Sequence, residues 1–211
     1  MDGRGRFRTS LSKEEQYSLG RKAGIILKKI HSLSIDTEDK NDKSIVKKKL
    51  LQIQKYEDSK VRIPNDESII NFIKENINFI NNETKVYQHG DFHPGNLIFL
   101  ETKEIGVIDF NRWDVGDPYE EFYKLESFGV DISIPYCIGQ IESYFDDNIP
   151  NNFWKALAVY SAHAALYSIK WAEQFGEDDL NNMRKICYRI LDDYDVLNTY
   201  IPKWFEGKIL I

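Results

Sequence analysis

Residues 86–88, 96–100 and 105–110 form three short apolar segments in quick succession, set between longer stretches whose apolar residues recur with a helical period. That change of period constrains the fold more than any other feature. A strand shows alternate residues to one face and a helix every third or fourth, so one pattern cannot serve as the other. Turn formers separate the segments: Pro94-Gly95 stands before the second and residues 101–104 before the third. The last two are therefore predicted to pair as a hairpin, which would hold its connecting loops rigidly.

The flanks predict helices. From Ser12 to His31 the residues Leu19, Ala23, Ile26, Leu27 and Ile30 fall on or near one stripe, and Ser12 with Glu15 has capping-box spacing. Residues 36–49 are polar and charged until Ile45, and a second helix is expected to run through Leu50, Leu51 and Ile53 with its lysines as a solvated face. Asp66, after Pro64, is placed to cap a third helix that turns Ile69, Ile70, Phe72, Ile73, Ile77 and Ile80 inward. Helical period returns after Pro118, with long helices expected over 152–175 and 178–197. A chain of 211 residues with this pattern predicts one large α+β domain, mostly helical and low in strand.

Charge and cysteine usage narrow the function. A formal net charge of −6 argues against nucleic acid, whose phosphates need clustered Lys and Arg, and favours cationic partners. Cys137 and Cys187 have neither disulfide-framework nor zinc-site spacing, which points to a reducing cytoplasm and to thiols packed as small apolar groups. No apolar run approaches the ~20 residues that cross a bilayer, and the start MDGRGRFRTS lacks the apolar core of a signal peptide. Residues 1–10, with Arg4, Arg6 and Arg8, are read as a flexible, solvated segment.

The chemistry concentrates in Gln88-HGDFHPGNLIFL and in Asp109 of Val107-IDFNRWDVGDP. Phosphoryl transfer asks a protein for a carboxylate to orient the attacking hydroxyl and for oxygen ligands to hold magnesium on the phosphates. In protein kinases these are an Asp, an Asn in the pattern D-x-x-x-x-N, and an Asp on the next hairpin. Asp91, Asn96 and Asp109 repeat that order and spacing. A lone Asp in a loop is usually a turn former, but three residues in register point to a site. His89, Asp91 and His93 also alternate as zinc ligands can, yet a closed site needs more ligands. His31 and His163 are far off in expected helices, and Pro94 turns the chain after His93, so phosphoryl transfer is preferred to a zinc hydrolase.

HGDFHPGN followed by IDF resembles the catalytic signature of the aminoglycoside phosphotransferase family, relatives of choline, homoserine and fructosamine kinases, and the likeness covers residues 11–204. The resemblance implies the large, C-terminal lobe of a protein-kinase-like fold over residues 11–211, with residues 1–10 at the former hinge and a short β-hairpin carrying metal ligands. It makes Asp91 the catalytic base or hydroxyl-orienting residue and Asn96 and Asp109 ligands of Mg2+, with ATP or GTP as co-substrate. His89 braces the loop by the same likeness, and Asp117 of Gly116-Asp117-Pro118 supports it. The D-F-G glycine is replaced by Asn111.

The family's phosphate-covering loop and lysine–glutamate pair have no counterpart upstream, where Gly3-Arg4-Gly5 follows no strand and lacks a third glycine. A missing N-terminal nucleotide lobe is therefore expected, with weak or no activity of the chain alone unless that lobe or self-association supplies the grip. The implied acceptor is a hydroxyl of an aminoglycoside or similar cationic small molecule. Trp113, Glu120, Glu121, Glu142, Asp146 and Asp147 are candidates to bind it, while Trp154, Trp171 and Trp204 are assigned to the core. Two alternatives stand beside this: a non-catalytic fragment that binds the small molecule without transfer, and a choline, homoserine or fructosamine kinase-like enzyme.

Overall fold

The computed structural model describes residues 11–36, 44–80, 84–100 and 104–206. The N-terminal segment with its arginines and glycine pair, and most of the hairpin turn, lie outside the described residues. In chain order the elements are α1 Lys13–His31, α2 Ile45–Glu57, α3 Glu67–Asn76, β1 Val86–Gln88, β2 Leu97–Phe99, β3 Ile105–Val107, β4 Asp114–Gly116, α4 Ile134–Tyr144, α5 Asn151–Ala172, α6 Glu177–Asp193 and α7 Lys203–Glu206. Helix dominates and strands are few and short, as the sequence predicts. The described residues divide into two compact units, one holding α1, the four strands and α4, the other holding α2, α3 and α5 to α7. No helix among them is long and apolar enough to cross a membrane.

In the first unit α1 starts at the predicted capping box, with the Ser12 hydroxyl accepting from the Glu15 amide and the Glu15 carboxylate accepting from the Ser12 amide. Its buried stripe is Leu19, Gly20, Ala23, Gly24, Leu27 and His31, while Ile26 and Ile30 are half-buried. The glycines let α1 press against α4. A β-carbon at Gly20 would stand 2.0 Å from the Tyr136 carbonyl oxygen, one at Gly24 2.3 Å from that of Gln140, and one at Gly139 2.4 Å from that of Tyr17. Backbone meets backbone, and nothing there can move aside as a flexible side chain would.

The strands form two antiparallel ladders. β2 pairs with β3 as the predicted hairpin, Leu97 opposite Val107 and Phe99 opposite Ile105. β3 stops at Val107, short of the expected Phe110, because Asp109 takes the left-handed conformation (φ 66°, ψ 57°) and residues 110–112 turn as a 3-10 helix. β1 pairs instead with β4, Val86 opposite Gly116 and Gln88 opposite Asp114. No strand is predicted at β4, since three residues flanked by charge carry too little alternation to read.

In the second unit α5 is buried on nearly every side, and α2, α3 and α6 all pack on it. Three expectations fail here. Lys49 of α2 is 5% exposed, its ammonium 5.5 Å from the Tyr160 ring centre, so the lysines of α2 are not all solvated. Asp66 stands at the N-cap of α3 without capping it; its carboxylate accepts from the Tyr56 hydroxyl at 2.8 Å and from the Arg62 guanidinium at 2.5 and 3.0 Å. The guanidinium and the hydroxyl together outcompete a backbone amide for that buried charge. Cys187 is buried, which pushes its thiol up to about 12, and Trp154 and Trp204 are core, whereas Trp171 is 43% exposed.

The α1–α4 contact yields a prediction. Gly24→Ala gains about 1 kcal/mol of helix propensity, yet the added methyl has no room, and overpacking costs about 1–3 kcal/mol or more. Gly24→Ala is expected to lower the thermal midpoint by several degrees, at about 2–4 °C per kcal/mol, and Ile25→Ala on the exposed face should change it little. Melting followed by circular dichroism checks both.

Candidate active site

β1 runs directly into the loop of residues 89–96, and one buried carboxylate holds that loop's start. Glu121, 3% exposed, accepts from the His89 amide at 2.7 Å through Oε2 and from the Gly90 amide at 2.8 Å through Oε1. Gly90 must be glycine: its φ is +79°, and a β-carbon there would lie 2.0 Å from the Arg112 carbonyl oxygen. The buried His89 ring accepts from the Asp91 amide at Nδ1 (3.2 Å) and donates from Nε2 to the Ile108 carbonyl (2.9 Å), which fixes a neutral tautomer. It thereby ties the loop to the hairpin residue before Asp109. Gln88 donates to the Asp117 carbonyl at 2.7 Å, and the fully buried Asp117 carboxylate accepts from the Tyr119 amide at 2.9 Å.

Two of the three residues in register are joined directly. Asn96 closes a short 3-10 turn, and its Nδ2 donates to the Asp91 carbonyl at 2.9 Å. The Asn96 carbonyl in turn accepts from the Ile108 amide at 3.1 Å, which brings Asn96 beside the residue preceding Asp109. Asp109 is exposed, and its Oδ1 accepts from Asn111 Nδ2 at 2.8 Å. The residue in place of the D-F-G glycine thus orients the carboxylate.

Asp91 is ringed by three basic side chains. Lys124 Nζ lies 2.6 Å from its Oδ1, Arg112 Nη1 4.0 Å from its Oδ2 and His93 Nε2 3.9 Å from its Oδ1. Burial by itself raises the Asp91 carboxyl, but the Lys124 ammonium, helped by His93 and Arg112, outweighs it and holds the group below its ordinary value. Burial opposes the charge on Lys124 as well, yet Tyr123 and Asp91 keep its ammonium above the usual lysine value. Burial lowers His93, whose Nδ1 accepts from the Gly95 amide at 3.1 Å. Both ring nitrogens of His89 are engaged by the backbone, so it is not disposed as a zinc ligand, and among the described residues no three of His, Cys, Asp and Glu gather to hold a metal.

The candidate acceptor residues scatter among other tasks. Glu121 is the loop's anchor and buried, not a surface carboxylate. Glu142 accepts from the Tyr17 hydroxyl at 2.6 Å, Asp147 pairs with Arg21 at 2.6 and 3.1 Å, and Asp146 pairs with Lys28, so all three tie the end of α4 to α1. Glu120 is half-buried near Gln88, 3.4 Å from its amide. Trp113 is 53% exposed, its ring 6.1 Å from that of Tyr87. Sequence reasoning passed over Lys124 and Arg112. The available signal was the three-residue spacing of Glu121 and Lys124, each followed directly by an apolar residue, Phe122 and Leu125, which places both on one helical face.

A sequence profile of the phosphotransferase enzyme family matches residues 1–158. Among curated proteins none matches the chain. Among solved structures, the gentamicin complex of APH(2″)-IIa aligns with a TM-score of 0.62 at 23% identity over 90% of this chain and 66% of that one. A choline/ethanolamine kinase family protein from Mesorhizobium loti aligns with a TM-score of 0.66 at 12% identity over 93% of this chain and 70% of that one. The GDP complex of aminoglycoside 2′-phosphotransferase-IIIa gives 0.65 at 14% identity, over 90% and 65%. The chain thus has their fold and spans about two thirds of their length.

The Glu121 anchor is testable. Glu121→Gln turns an amide donor toward one of two amide donors, and a hydrogen bond to a charged group contributes about 1.5–3 kcal/mol. Hydrogen exchange at the His89 and Gly90 amides should accelerate by about tenfold or more, with the β2–β3 ladder little changed; equal protection in the two proteins would show that the carboxylate does not hold the loop.

Proposed function

The chain belongs to the phosphotransferase enzyme family, and on that premise we propose that it transfers the γ-phosphate of ATP or GTP to a hydroxyl of a small molecule. The observation that carries the reading is the Asn96 amide on the Asp91 carbonyl, 2.9 Å, because it locks a hydroxyl-orienting carboxylate and a metal-facing oxygen into one rigid unit. Positioning of this kind accounts for most of what a protein contributes to phosphoryl transfer.

Asn96 and Asp109 fit magnesium. Both offer hard oxygen donors: Asn96 has its amide nitrogen engaged, so Oδ1 is the atom it would offer an ion, and Asp109 presents an exposed carboxylate steadied by Asn111. When bound, the ion draws negative charge from the phosphate oxygens. Asp91, ionised, accepts the proton of the acceptor hydroxyl, and its buried loop excludes much of the water that would compete for that bond.

The acceptor we favour is an amino sugar, with a choline-like alcohol second; the gentamicin complex and the choline/ethanolamine kinase family protein of the same fold support both. Its ammonium groups would lie away from Asp91, whose charge Lys124 already balances, and the exposed face of Trp113 is available to the rest of the molecule. The two cysteines, both buried thiols, support a cytoplasmic setting.

Turnover is to be measured with ATP and GTP against gentamicin and choline, using the chain alone and joined to the part of a solved neighbour that it does not cover. Asp91→Asn should lower kcat by about 10²–10⁴-fold while magnesium affinity holds. Near-normal turnover in that variant would remove Asp91 from the chemistry. Magnesium binding followed by calorimetry with nucleotide present should weaken more in Asp109→Ala than in Asn96→Ala, because a full charge binds the ion more strongly than a carbonyl dipole. Unchanged affinity in Asp109→Ala would take Asp109 out of the metal site.

A further inference from the structure

Glu121 and Lys124 lie three residues apart where a 3-10 turn, residues 120–122, gives way to a π-helix, Leu125–Gly129. In such tight turns side chains at this spacing point the same way, and π-helical turns are enriched at functional sites. Both side chains meet the same loop. Glu121 holds its backbone at His89 and Gly90, and Lys124 holds the side chain of the next residue, Asp91. Resting on the phosphotransfer reading, we propose that Lys124 is a positioning residue: it pins Oδ1 of Asp91 in one orientation, leaving Oδ2 for the acceptor hydroxyl.

Stability alone does not account for this pair. Taking a lysine and a carboxylate out of water costs several kcal/mol per ion, and apolar residues of similar size often serve a fold better. Lys124 is nevertheless nearly buried, its side chain 7% exposed, with its ammonium 5.1 Å from the Tyr123 ring centre and 5.5 Å from that of Phe128. Those rings confine the cation to a small volume and favour its charge. The rotamer of Lys124 is thus set by packing, and Asp91 is oriented by a fixed charge and not by a mobile one. Arg112 differs. Its side chain is 58% exposed and stands 4.0 Å from Oδ2, on the side left to the acceptor.

The test measures turnover in the joined protein and in its Lys124→Met, Lys124→Arg and Arg112→Gln variants. Lys124→Met should lower kcat by about tenfold or more with the KM for nucleotide held within about twofold, the split expected when only the transition state loses an interaction. Lys124→Arg should restore most of the wild-type kcat, and Arg112→Gln should lower it less. A Met variant that turns over normally beside an active wild type, or whose loss appears in KM alone, would overturn the proposal. Should Lys124→Met not fold by circular dichroism, Lys124→Gln takes its place, with the same outcomes for and against. Absence of transfer to every acceptor by the wild type would defeat the phosphotransfer reading itself, whereas normal turnover in the Met variant defeats the positioning role alone.

Discussion

The geometry of the loop of residues 89–96 depends on one buried carboxylate. Glu121 has both oxygens on consecutive backbone amides, at 2.7 and 2.8 Å, in a place where solvent cannot reach them. Burying a charge there would be prohibitive without those bonds, and with them the charge is matched by two fixed dipoles. Consecutive amides point the same way only if the backbone bends sharply, and the positive φ of Gly90 supplies the bend. The same bend brings residue 90 against the Arg112 carbonyl, so the loop and the segment after Asp109 share a wall. His31 closes the far side, its Nε2 3.9 Å from Glu121 and its Nδ1 2.8 Å from the Tyr144 hydroxyl, which links the anchor to the α1–α4 pair.

From that anchor each functional atom follows by short steps. The Asp91 amide reaches His89, His89 reaches Ile108, Ile108 reaches Asn96, and Asn96 returns to the Asp91 carbonyl. The circuit closes on itself, so no member can shift without breaking a bond elsewhere. β1 and β4 hold its entrance and the β2–β3 hairpin holds its exit. Such short ladders would be marginal alone and persist because the buried ring and carboxylate lie against them.

How much of this was legible depended on distance along the chain. The order Asp91, Asn96, Asp109 stands out in the sequence because its spacing falls within one loop and its hairpin, and the bond from Asn96 to the Asp91 carbonyl is local in the same way. The capping box of α1 could be read because both partners lie within one turn. Glu121 and Lys124 were harder, since a charged residue in sequence carries no sign of whether it is buried; Glu121 is expected to bind the acceptor and instead holds the loop backbone, and Lys124 carries no expectation at all. β4 escaped because its partner β1 is far away in sequence and its three residues alternate too briefly. Gly20, Gly24 and Gly139 escaped for another reason: a missing side chain leaves no hydrophobic signal, although it permits the tightest contact of the unit.

The distribution of acidic residues shows what the net charge of −6 does not. An acidic chain invites the reading that its carboxylates wait for a cationic ligand. Here Glu121 and Asp117 serve the backbone, while Glu142, Asp146 and Asp147 bind Tyr17, Lys28 and Arg21 of α1. Exposed pairs of that kind contribute little each, about 0–1 kcal/mol, but three along one seam set the pitch at which α1 meets α4. At the loop itself the balance is reversed, with Lys124, Arg112 and His93 gathered on one aspartate. A site that brings phosphate toward a hydroxyl must tolerate negative charge accumulating in a confined space. Basic side chains thus gather at this loop, while the acidic residues named along α1 and α4 serve the fold.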